Sequence, residues 1–86
     1  MASVEEVKAN VAASVDETQR ALQTLRGVAD SFDEALARLR LTAIGSGHPS
    51  IVDAINQLEQ ARSRIDEAQS LASSAISSAD TYRMIV

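Results

Sequence analysis

Few residues of this chain are of a type that does chemistry, and their spacing limits what they do. A single histidine, His48, stands in the segment Gly45, Ser46, Gly47, His48, Pro49. One imidazole with no second ligand beside it builds no metal site. Its expected role is a cap, either at the start of the following helix or as a donor to a carbonyl at the end of the preceding one. Carboxylates occur as neighbours: Glu5 with Glu6, Asp16 with Glu17, Asp33 with Glu34, and Asp66 with Glu67. Adjacent helical positions do not face each other, so these pairs form neither a di-iron site nor an acid/base couple and read as surface charge. With no cysteine, disulfides, thiolate zinc sites and cysteine nucleophiles are excluded. Ser70, Ser73, Ser74, Ser77 and Ser78 read as small, soluble filler beside an alanine seam rather than as a modification cluster. No catalytic residue, cofactor or metal is expected, and the chain reads as a non-enzyme.

The elements that carry these residues follow from composition and period. Of the 86 residues 45% are apolar but only 2% aromatic, so the apolar content is Ala, Leu, Ile and Val, the composition of long helices. Twelve acidic and eight basic residues leave a net charge of -4 with no basic run, so nucleic acid is not an expected partner. No apolar stretch approaches the ~18 residues that span a bilayer, and membrane insertion is not expected. The acidic start MASVEEVKAN is unlike a signal peptide. The expected location is cytoplasmic at synthesis, with export by a route that needs no cleaved signal left open.

From Val11 onward, apolar or small residues recur in steps that alternate strictly between four and three: Val15, Thr18, Leu22, Leu25, Ala29, Phe32, Leu36, Leu39, Ala43. That is the period of a coiled-coil seam, and no strand period fits it. Ser3 with Glu6 forms a capping-box pattern ahead of it, and helix 1 is predicted over about 3–43. A turn at about 44–49 follows, where Gly45 and Gly47 are expected to supply left-handed backbone and Pro49 to open the next helix. A second seam runs Ile51, Ala54, Leu58, Ala61, Ile65, Ala68, Ala72, Ala75, Ala79, Tyr82, Val86, which predicts helix 2 over about 50–85.

Folding the chain at the glycines brings the seams together in order, with Leu39 near Ala54, Leu36 near Leu58, Phe32 near Ala61 and Leu22 near Ala72. A shift of three or four residues leaves the pattern intact. The predicted fold is therefore all-α, one antiparallel, coiled-coil-like two-helix hairpin over residues 1–86. Asp16 with Arg20 and Glu34 with Arg38 are spaced as i,i+4 ion pairs. One alanine-rich seam is marginal for a chain this short, so a partner is expected. An uncharged column through Val7, Ser14, Ala21, Val28, Ala35 and Thr42 offers a second surface. Val28 and Ala35, with Ile55, Leu71, Ile76 and Tyr82 of helix 2, are the candidate partner-interface residues. The expected assembly is a four-helix bundle, from two copies or from one copy and a similar hairpin. A self-assembling coiled-coil spacer or scaffold is the alternative reading.

A short helical hairpin with a glycine turn at its middle resembles the small helical proteins of bacterial type VII secretion. The resemblance covers the whole chain and is one of architecture. The Trp-X-Gly turn of the main family has no counterpart in Gly45 to Gly47, and Tyr82 is followed four residues later by Val86 where that family's export signal has an acid. The run from Gly45 to Pro49, then a regular Ala and Leu helix ending in Tyr82, also looks like hairpins of high-GC Gram-positive bacteria that stand alone or at the front of polymorphic toxins. The resemblance implies chaperoning or targeting of an exported effector by helix pairing.

Overall fold

The computed structural model describes residues 3–85 as two long helices, α1 (Val4–Gly45) and α2 (Pro49–Ile85), folded back on each other. The result is a rod of 63 × 20 × 15 Å. Val86, the last position of the second predicted seam, lies outside the described residues.

Ser3 starts α1 from extended backbone, and its hydroxyl accepts a 3.1 Å hydrogen bond from the Glu6 N–H. Glu5 and Glu6 lie in the first turn, where acidic charge favours the positive end of the helix dipole. At the far end α1 runs two residues past the predicted limit. Gly45 is still helical, and no glycine among the described residues has positive φ. The expectation of left-handed glycines at 45 and 47 is thereby corrected. Extended backbone at Ser46 (φ -151°, ψ 102°) ends the helix instead, with the Ser46 N–H donating to the Thr42 carbonyl at 2.9 Å. Three residues, Ser46 to His48, then suffice to reverse the chain.

Pro49 is the first residue of α2, the position where its missing N–H and fixed φ carry no penalty. His48 caps the helix in front of it. Its carbonyl accepts from the Ile51 N–H at 2.9 Å, and its ring Nδ1 accepts from the Ser50 N–H at 3.1 Å. The alternative expectation, donation to the end of α1, is corrected: the ring serves α2, and Nδ1 must be unprotonated to do so. Replacing His48 by Ala should cost about 1 kcal/mol, a fall of roughly 4–8 °C in Tm for a domain this size. Asn, which offers the same acceptor, should recover most of it. Thermal unfolding followed by circular dichroism measures both.

The core is the predicted seam. Val15, Leu22, Ala29 and Leu36 are the buried residues among those described, spaced one heptad apart along the middle of α1. Leu25, Phe32 and Leu39 are half-buried, as are Leu58, Ile65, Ala68 and Ala72 on α2. No residue of α2 is fully buried. Two helices cover only one stripe of each other, and an alanine-lined helix leaves the flank of that stripe open. One position departs from the predicted seam. Ala75 is exposed, and the neighbouring Ile76 turns half-buried into an open groove of about 350 Å³ together with Val11, Val15 and Ala79. The interruption of the heptads at Val7, Val11 and Val15 lies in the same place, where two successive steps of four relax the supercoil and rotate the contact face.

Candidate interaction face

The two long flanks of the rod differ in chemistry. On one, ion pairs cross from helix to helix: Arg62 to Asp33 at 3.0 Å and Arg40 to Glu59 at 2.9 Å. Arg62 also pairs along α2 with Asp66. The hydrogen bonds that Arg62 donates to Asp33 first, then to Asp66, hold its guanidinium above its ordinary pKa. The raised folded-state value keeps the guanidinium charged throughout the range below the usual arginine pKa, so on the arginine side the cross-link is lost only as pH rises through the raised value. The pair agrees with the helix alignment read from the sequence. Asp33 follows Phe32 and Arg62 follows Ala61, so the bond joins the positions one step beyond the aligned seam residues, within a helical turn of the alignment read from the sequence. The charges Arg26, Asp33 and Arg40 beside the first seam face Glu59, Arg62 and Asp66 beside the second. That alternation of sign was the available signal for these pairs.

The expected i,i+4 pairs, Asp16 with Arg20 and Glu34 with Arg38, are corrected. Neither falls within ion-pair distance; the local pairs that do form are Arg62 with Asp66, Arg64 with Glu67 and Arg83 with Asp80. Both the neighbouring carboxylates and the ion pairs lie on exposed faces, and Asp33, Asp66 and Glu67 are taken up by arginines. Among the described residues no group of three His, Asp or Glu side chains is arranged to hold a metal ion. No helix among them is long and apolar enough to cross a membrane.

The opposite flank carries no ion pair between the helices. On α1 it presents the half-buried Leu25, Phe32 and Leu39 with the uncharged column of Ala21, Val28 and Ala35 beside them; Val28 is 37% exposed. On α2 it presents alanines and Leu71, which is 72% exposed, and, one heptad before Leu71, the exposed Arg64, paired along its own helix with Glu67. Four hydroxyls on and beside it are already satisfied. Thr18, Thr24, Ser31 and Thr42 each donate to the carbonyl four residues earlier, at 2.7, 3.2, 3.2 and 3.0 Å. A hydroxyl bonded to its own helix costs little to remove from water, so this flank is cheap to cover.

The six candidate interface residues divide between these surfaces. Val28, Ala35 and Leu71 lie on the uncharged flank. Ile55 and Ile76 stand on the other side of the α2 seam, where both are half-buried, so the hairpin itself uses part of their apolar surface. Tyr82 is half-buried near the open end. The apolar tip beside the turn is one the sequence reading did not single out. Leu41 and Ile44 are 71% and 85% exposed beside the turn, and Met84 and Ile85 are exposed at the opposite end. They lie outside both seams, so periodicity gives no reason to notice them. Set against known proteins, the chain matches no family model, no curated protein and no solved structure.

Proposed function

We propose that this chain is a non-enzymatic interaction module, a helical hairpin that completes its core by pairing with a second hairpin, either its own copy or a similar one. The difference between the flanks carries this reading. One is closed by the Arg62–Asp33 and Arg40–Glu59 bridges, and the other has no bridge between the helices among the described residues, is uncharged along its α1 column and is incompletely covered. A hairpin with four buried side chains among its described residues gains most from covering that surface. The likeness of the sequence to type VII secretion and toxin-associated hairpins supplies a setting for such pairing, as accessory or targeting partner of an exported protein.

Light scattering after gel filtration tests this reading. A discrete dimer, or a one-to-one complex with a second hairpin, is the expected result. The exposed apolar tips at Ile44 and Met84 favour a second reading, a coiled-coil spacer or scaffold that grows end to end. Open-ended polymers would establish that reading and overturn the first.

A further inference from the structure

We propose that the occupant of the uncharged flank is a second copy of this chain, docked with its α1 antiparallel to the first α1 about a two-fold axis beside Leu25 and Val28. This rests on the interaction-module reading and names its partner. Three observations carry it.

The flank of α1 is a second seam. Thr18, Ala21, Leu25, Val28, Phe32 and Ala35 repeat the three and four steps of a coiled coil without a charge. An antiparallel copy centred beside Leu25 and Val28 sets Phe32 against Ala21 of the second copy, large on small, and packs Val28 on its Leu25 beside the axis. Because the contact is two-fold, each match occurs twice.

The charges bordering this seam are self-complementary. Glu17 lies on its rim to one side of the axis and Arg38 to the other. Both are exposed, and neither has an ion-pair partner within its own chain among the described residues. In the antiparallel arrangement Glu17 of each copy comes to Arg38 of the other. A parallel arrangement with the helices in register would instead stack Glu17 on Glu17 and Arg38 on Arg38, which like-charge repulsion disfavours.

The surface is also large enough. The broad side of the rod measures 63 × 20 Å, more than the ~800 Å² per partner that a standard stable interface buries. On α2, Ala61, Ala68 and Ala75 allow the two copies to approach closely, with Leu71 projecting beside them and Arg64, held along its own helix by Glu67, in the same column.

Charge exchange at the rim tests the docking. Sedimentation equilibrium should give a dimer for the unaltered chain. Glu17→Arg and Arg38→Glu should each raise the dimer Kd on the order of tenfold, since each turns two attractive contacts into two repulsive ones. The double variant should return it to within about threefold of the original. Arg20→Glu, the same charge change on the face away from both seams, should leave it unchanged. Circular dichroism checks that all four variants keep their helicity. A dimer indifferent to the single changes, or not restored by the double one, overturns this docking and leaves the interaction module standing. A chain that stays monomeric at all concentrations overturns the second copy as occupant, and a one-to-one complex with another hairpin then decides the module reading separately.

Discussion

Replacing Leu36 by Asp should unfold the hairpin. Leu36 is 3% exposed, the least exposed of the four buried side chains, and it sits in the seam one heptad beyond Ala29. A carboxylate there has no partner among buried groups, because the seam contains no buried polar or charged residue. Burying it unpaired costs several kcal/mol, a large part of the ~5–15 kcal/mol that stabilises even a full-sized domain. The far-UV helical signal at 25 °C should therefore be mostly lost. Leu36→Met, which conserves volume, should cost less than about 1.5 kcal/mol and keep that signal. Leu22→Asp should behave like Leu36→Asp, since Leu22 is 8% exposed on the same stripe. A fully helical Leu36→Asp protein would mean that something other than the seam holds the two helices.

Val28→Asp should have the opposite profile, with helicity retained at low temperature and association lost. Val28 is 37% exposed, so within one hairpin the new carboxylate reaches water at little cost. In the proposed dimer the same position lies beside the two-fold axis. Two carboxylates would then be desolvated near each other, without partners, and the dimer Kd should rise by at least about 100-fold. Light scattering and circular dichroism on the same sample separate the two effects. Parallel loss of helicity and association in Val28→Asp would show that folding and pairing involve one surface rather than two.

The helices, their seam and the break between them were legible because each rests on a local rule. The alternation of three and four steps identifies Leu22, Leu36 and their neighbours as a stripe whatever lies opposite, and a Gly-Ser-Gly-His-Pro run interrupts any helix. Features that depend on the opposing helix were harder to read. An alanine-rich arm accepts several registers with similar packing, so the Asp33–Arg62 and Arg40–Glu59 bridges appear only once the arms are set side by side. Ile76 takes the place expected for Ala75 because both columns are apolar there and the interrupted heptads rotate the contact face. Gly45 stays in the helix because glycine permits left-handed backbone without requiring it. Of the candidate interface residues, Val28 and Ala35 were chosen by the absence of charge in their column, and Leu71 by its hydrophobicity beside the second seam. For Ile55 and Ile76, hydrophobicity alone does not tell a partner's surface from the hairpin's own.

The idea that joins these points is that the hairpin is only half covered when alone and draws stability from a partner on its uncharged flank. Thermal unfolding of the unaltered chain at two protein concentrations about 100-fold apart tests it most directly, because binding to the folded state raises Tm with concentration by mass action. The predicted result is a Tm that climbs by several degrees from the dilute to the concentrated sample. The same Tm at both concentrations, with full helicity and the mass of one 9.1 kDa chain, would contradict it.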